Sequence, residues 1–348
     1  MCDFTNGTNR TNRTNGTPEP RFGTEPRSGN GGTSGRHHER RADELYVVAC
    51  VFNPRRFESR IRLFREFEDY VRASGAKLLV VEAAFGDRRH EVTDRGNPLH
   101  LQVRTEVELW HKERLLNLGM QRLPAEAKYV AWVDPDVHFT RHDWANETVH
   151  MLQHHPVVQM FGQAANLGPN EEVLWLARGI AKGWQEYGKP VWECPEKLLR
   201  GVKDHPGLCW AFRREALDRM GGLLDFCIAG SADLHMVGAW AGNYLLGHPH
   251  DLPMAYQRQL HQWAERAAQA VRGNVGYVAG TVLHHWHGKT KERGYDKRWR
   301  IMVEHQFDPV RDLVTDTQGM LRWSGMNPEL AAAIRQSLAG RNEDSIDL

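Results

Sequence analysis

Cysteine is scarce in this 348-residue chain. The five present (Cys2, Cys50, Cys194, Cys209 and Cys227) are scattered, odd in number and free of any Cys-x-x-Cys. That argues against a disulfide framework or a cysteine-built zinc site and predicts a reduced, cytoplasmic chain. Long apolar runs are missing too. No stretch approaches the roughly 18 uninterrupted apolar residues of a membrane-spanning helix, and the first residues hold no apolar signal-peptide core. Nor is there an excess of charge, since 45 Lys and Arg face 44 Asp and Glu. A uniformly basic nucleic-acid or membrane binder is therefore not expected, although a local basic patch is compatible with this balance.

Residues 1–42 are poor in apolar side chains and rich in Asn, Thr, Gly, Arg and Pro. Such a segment cannot bury enough apolar surface to fold alone and is expected to be a disordered tail. It opens with Asn6-Gly7-Thr8, Asn9-Arg10-Thr11, Asn12-Arg13-Thr14 and Asn15-Gly16-Thr17. Each matches the glycosylation sequon, but without a secretion signal these are incidental to a polar tail.

From Glu44 the chain has globular patterning. Residues 45–52 (LYVVACVF) and 77–84 (KLLVVEAA) read as buried strands, with a helical period between them over 56–73. A short strand over 99–103, a helix over 108–123 and a strand over 128–133 follow. This alternation predicts a three-layer α/β/α sandwich with a mostly parallel central sheet. Ligands in such sheets lie beyond the carboxyl ends of the strands, which places Asn53, Glu82, Asp134 and Asp136 along one rim. The second half is less regular. Helices are expected over 143–154, 214–220 and 254–271 and from about 234, with strands over 157–161, 208–212 and 275–283. Residues 163–206, with Trp175, Trp184 and Trp192, read as an irregular insertion.

Four constellations carry chemistry. The apolar run 129–133 ends in Asp134-Pro135-Asp136. Two carboxylates one residue apart at a strand end can hold a hydrated divalent cation, which suits a diphosphate; the same spacing also fits an Asx-type turn. On the preceding helix, Lys112 can neutralise a phosphate and Asn117 can hydrogen-bond a ligand or a turn, yet both also fit an ordinary solvated helix face. Asp233 follows small residues at a helix start, where it can be a cap or a general base. Finally, His284-His285-Trp286-His287-Gly288-Lys289 joins an apolar strand to the basic residues Lys291, Arg293, Lys297, Arg298 and Arg300, a pattern suited to metal or phosphate.

In this order, the elements resemble the GT-A-fold nucleotide-sugar glycosyltransferases, most of all the family-2 type and its phage-encoded relatives. The resemblance runs from about residue 45 to 312. It rests on the first strand with Asn53-Pro54, on Glu82, on the Lys112-to-Asn117 helix, on Asp134-x-Asp136, on the Trp210-to-Gly222 stretch, on Asp233 and on His285-x-His287. It implies a glycosyltransferase domain over 43–312, with a nucleotide-binding half at 43–140 and an acceptor half at 141–312, followed by a C-terminal helical extension over 313–348. It also implies a donor pocket formed by Asn53, Glu82, Lys112, Asn117, Asp134 and Lys289. A divalent cation (Mn2+ or Mg2+) would be held by Asp134, Asp136, His285 and His287, and Asp233 would be the base of an inverting transfer. The acceptor would be a glycan, a protein or a modified DNA base; the last would make the chain a phage-type DNA-base glycosyltransferase. Paired acidic residues are common at the family's base position, whereas Asp233 lies between Ala232 and Leu234.

Two further classes compete with this one. A nucleotidyltransferase needs a glycine-rich phosphate loop after the first strand, where this chain has Asn53-Pro54-Arg55-Arg56. An inactive carbohydrate- or nucleic-acid-binding module would use the basic, Trp-containing stretch around Trp286 and Trp299, but would have no need of both halves of a metal site.

Overall fold

A computed structural model of the chain describes residues 44–187, 204–242 and 251–347. The expected tail over 1–42, together with Trp192 and Cys194 of the expected insertion, lies outside the described residues. The first half alternates as the pattern predicts: β1 (Leu45–Phe52), α1 (Glu58–Ala73), β2 (Lys77–Phe85), β3 (His100–Thr105), α2 (Lys112–Gln121) and β4 (Tyr129–Val133). Then come β5 (Val137–Phe139), α3 (Trp144–Leu152), β6 (Val157–Gln159), β7 (Gln163–Leu167), β8 (Val173–Gly179) and α4 (Ile180–Tyr187). Next are β9 (Asp204–His205), β10 (Cys209–Arg213), α5 (Arg214–Met220), α6 (Ala232–Trp240), α7 (Met254–Val271), β11 (Val275–Tyr277) and β12 (Thr281–His284). A 3-10 turn (Thr290–Arg293), α8 (Tyr295–Glu304), α9 (Pro309–Asp312), a β13 (Leu313–Thr315)–β14 (Leu321–Trp323) hairpin and α10 (Pro328–Ala339) complete the chain.

The central sheet has seven strands in the order β11-β6-β10-β4-β1-β2-β3. β10 runs antiparallel to both neighbours, and the other pairings are parallel. Both faces are covered, which is why the strands are nearly continuous apolar runs. Along β1, Tyr46 and Val48 join one core with α2 and α5–α7, while Leu45, Val47, Ala49 and Val51 join another with α1 and α3. The sheet thus lies between two helical layers.

Two expectations change. The single strand expected over 275–283 is two. Gly280 takes φ +152°, the chain turns there, and β12 joins a second sheet of order β5-β12-β7-β8-β9. Residues 163–187, expected to be irregular, supply β7 and β8 of that second sheet and then α4. The apolar–polar alternation that would have marked them as strands is absent from Val173, Leu174, Trp175 and Leu176, all of which are exposed. Beyond residue 313 the chain forms the hairpin before its helix.

α2 lies close against the sheet at Gly119, where an added Cβ would fall 2.6 Å from Val48 Cγ1 and 2.7 Å from Val81 Cγ2. Both valines are fully buried and β-branched, so neither can move aside cheaply. Gly119→Ala should therefore destabilise the fold, by about 1–3 kcal/mol, despite alanine's better helix propensity; thermal or urea denaturation measures it.

Candidate active site

The rim at the carboxyl ends of β1 and β4 opens into a cavity of about 210 Å³. β4 delivers Asp134 to it, and the Asp134 N–H donates to the Leu208 carbonyl at 3.0 Å, tying the acidic turn to the start of β10. Leu208 has φ +73° and Ser231 has φ +68°, so two non-glycine residues beside the cavity hold left-handed backbone. The antiparallel β5–β12 pairing places His284 opposite Val137, and the His285 N–H donates to the Asp136 carbonyl at 2.8 Å. Asp136 is thereby brought beside the end of β12.

Asp136, His284 and His287 each offer a ligand atom, and these atoms lie within 4.8 Å of one another. His284 Nε2 is 3.9 Å from Asp136 Oδ1, and His287 Nδ1 is 3.4 Å from Asp136 Oδ2. His284 Nδ1 bonds the Asn166 side-chain oxygen at 2.8 Å, which fixes the ring and leaves Nε2 facing the carboxylate. Asp136 Oδ1 is buried with no hydrogen-bond partner among the described residues. Burial works against the charge on Asp136, but His287 and His284 in their protonated forms, together with the permanently charged Arg60 and Arg293, outweigh it and hold the carboxyl below its usual range. Burial also pulls both histidines below the ordinary imidazole value. A carboxylate and two neutral imidazoles are the protonation states that a metal requires, so these residues fit a divalent cation. The mixed N/O set suits Mn2+ better than Mg2+, which prefers oxygen.

Next to this triad, Lys112 Nζ contacts both Asp134 oxygens, at 2.5 and 2.7 Å. Burial disfavours the ammonium, but Asp134, Glu113 and Asp233 outweigh it, and Lys112 stays charged. Burial, only partly offset by Lys112, pushes Asp134 up to about 6. Glu113, buried on the same wall, is pushed up to about 7 by burial. Asp233, in the first turn of α6, accepts from the Leu234 N–H at 2.9 Å. Its Oδ2 packs over Gly207, where an added Cβ would fall 2.4 Å away.

Arginines add positive charge to the lining. Arg60, Arg293, Arg298 and Arg341 line the cavity, with Arg341 4.7 Å and Arg298 5.8 Å from the Trp110 ring centroid. His205 also lines the cavity, and burial lowers it to about 4.

No protein-family model and no curated protein matches the chain. Among solved structures, it is similar to the catalytic domain of Drosophila beta1,4galactosyltransferase 7 in complex with xylobiose. That match has 11% identity and a TM-score of 0.37, and covers 82% of this chain and 98% of that one. It is similar to S. aureus TarS in complex with UDP-GlcNAc, at 10% identity and TM-score 0.40, over 70% of this chain and 59% of that one. It is also similar to glucosyl-3-phosphoglycerate synthase from Mycobacterium tuberculosis in complex with Mn2+, UDP and glucosyl-3-phosphoglycerate. There the identity is 13% and the TM-score 0.36, over 81% of this chain and 84% of that one. At these identities and TM-scores the likeness carries no functional weight, and the chemistry has to be read from the side chains.

Of the residues expected from sequence, the structure gathers Asn53, Lys112, Asp134, Asp136, Asp233 and His287 around the cavity. Asn53 is also a local brace, exchanging 2.9 Å bonds with the Phe57 backbone N–H and carbonyl. Four expected residues are elsewhere. Glu82 does not line the cavity; its carboxylate accepts from the N–H groups of Glu91, Val92 and Thr93 and from the Thr93 hydroxyl, and so shapes that loop. Asn117 is buried and clamps Leu223 through its N–H and carbonyl, at 2.8 and 2.9 Å. His285 turns away from Asp136 to Glu171 (3.1 Å) and His138 (3.2 Å). Lys289 is not in the cavity wall, and arginines take that place.

His284 replaces His285 because the strand ends there. Alternation by two holds only in extended chain; past His284 the chain leaves the strand, and the residue three further on returns to the same side. Arg60, Arg341 and Glu343 had no local signal, being brought in from α1 and from beyond α10. Accordingly, His284→Ala should weaken Mn2+ binding at least tenfold in isothermal titration, while His285→Ala should leave it nearly unchanged. The reverse ranking would overturn the triad.

Proposed function

We propose that the chain is a metal-dependent glycosyltransferase that moves a sugar from a nucleoside-diphosphate sugar to an acceptor hydroxyl, inverting the anomeric carbon. The observation that carries this reading is the convergence on one cavity of Asp136, His284 and His287, of the Lys112–Asp134 pair, of Asp233 and of an arginine wall. A cation held by the triad would supply charge neutralisation at the diphosphate.

The chain's own residues do the rest. Arg60 and Arg293 face the triad and meet the anionic end of the donor. Lys112 keeps Asp134 oriented and offsets the negative charge around it. Asp233 accepts the acceptor hydroxyl proton as the oxygen bonds to the anomeric carbon. The anomeric C–O bond to phosphate breaks, and its electron pair leaves with the diphosphate.

Nucleoside diphosphates should raise the melting temperature with Mn2+ present and not without it. At a hundredfold excess over Kd, the gain is about 2.7 kcal/mol. No shift with any nucleoside diphosphate at millimolar concentration would sink the reading. Gly207→Ala tests Asp233 separately, since the new methyl displaces only the end of that side chain. Turnover should fall by ~10² while Mn2+ and nucleotide affinity stay as in the parent; unchanged turnover would remove Asp233 from its role.

A further inference from the structure

After α10 the chain runs back across the cavity. Glu343 is 5% exposed and pairs with Arg60, its Oε1 lying 2.7 Å from Nη2. The next residue, Asp344, accepts from the first-turn N–H groups of α1, Glu58 and Ser59, both at 2.9 Å. The Ser59 hydroxyl donates to the Glu343 carbonyl at 3.1 Å, and Trp286 Nε1 donates to the Ser345 carbonyl at 2.5 Å. Gly288, at φ +89°, lies under the crossing; a Cβ there would fall 2.3 Å from the Asn342 carbonyl oxygen.

Two consecutive carboxylates therefore occupy a guanidinium and a helix N-terminus, and the first of them, Glu343, lies with Arg60 beside Asp136 and His287. These are the partners that phosphoryl oxygens seek. The attachment is polar. Among the described residues 341–347, Ile346 is the only apolar side chain, and it is 79% exposed. Beyond Arg341, which stacks on Trp110, nothing in the segment is anchored by apolar packing, so the bonds of Glu343 and Asp344 can be exchanged for equivalent bonds to another anion.

We propose that residues 341–347 form a displaceable strap, in which Glu343 and Asp344 compete with the diphosphate of the donor for Arg60 and the first turn of α1. The inference rests on the cavity being the diphosphate site. Donor binding then releases the strap, and the strap lowers the affinity of the cavity for any diphosphate. Arg60 is never left as an uncompensated buried charge, because one anion replaces the other.

The test uses the full-length chain and inorganic pyrophosphate with Mn2+ as the probe. The double variant Glu343→Gln/Asp344→Ala should bind it about tenfold more tightly than the parent, a difference of about 1.4 kcal/mol. Equal or weaker binding by the variant overturns the strap, the weaker case making the segment a fixed wall. Binding by neither protein overturns the diphosphate reading of the cavity, and the strap with it. The parent chain provides a second readout through trypsin cleavage after Arg341, followed by mass spectrometry of the released peptide. Pyrophosphate with Mn2+ should accelerate that cleavage, and protection instead would overturn the proposal.

Discussion

The Lys112–Asp134 ion pair is the contact around which the cavity is organised. Asp134, Asp136, Asp233 and Glu113 share a wall largely withdrawn from water. Like charges repel strongly in such a medium, and a buried charge without a counter-charge is heavily penalised. Lys112 stands at the start of α2, in contact with Asp134 and within the electrostatic reach of Glu113 and Asp233. One ammonium thus stabilises three acids, and Asp136 is left to the arginines and the histidines. This division of charge lets one carboxylate stay free of hydrogen bonds on Oδ1 while its neighbour is fully engaged.

The second requirement is the junction of two sheets. The central sheet carries Asp134 to its rim, but the histidines arrive through the smaller sheet, by way of the turn at Gly280. The β5–β12 pairing then sets the distance between Asp136 and His284 by backbone hydrogen bonds rather than by flexible side chains. A site fixed by a strand register is rigid. The segment after α10 contrasts with it, being attached through side-chain hydrogen bonds and an ion pair.

Much of the fold was legible because its signals are local. Residues 45–52 and 254–271 coincide with β1 and α7, since an uninterrupted apolar run and a 3.6-residue period each specify one element. Positions set by distant partners were not legible. Nothing near Glu82 says that its carboxylate will close a loop nine to eleven residues on, and nothing near Asn117 announces Leu223. The acidic turn was legible because its two aspartates are separated only by Pro135. The histidine pairing was off by one because the end of β12 was not visible in an apolar pattern that runs past Gly280. Glu343 could not be connected with Arg60 from sequence at all, because only the folded chain brings them together.

The long sequence separations within the site have a kinetic consequence. The Asn166–His284 contact spans 118 residues and Arg60–Glu343 spans 283. β1, β2 and β3 pair with near neighbours in the chain and close short loops, whereas these contacts close long ones, and contacts of high sequence separation slow folding. During synthesis from the N-terminus, the first four strands of the sheet can form well before β12 exists. The nascent chain then carries Asp134 and Asp136 without the histidines that complete the triad. Asp136 therefore meets His284 and His287 only after the first four strands can already have formed.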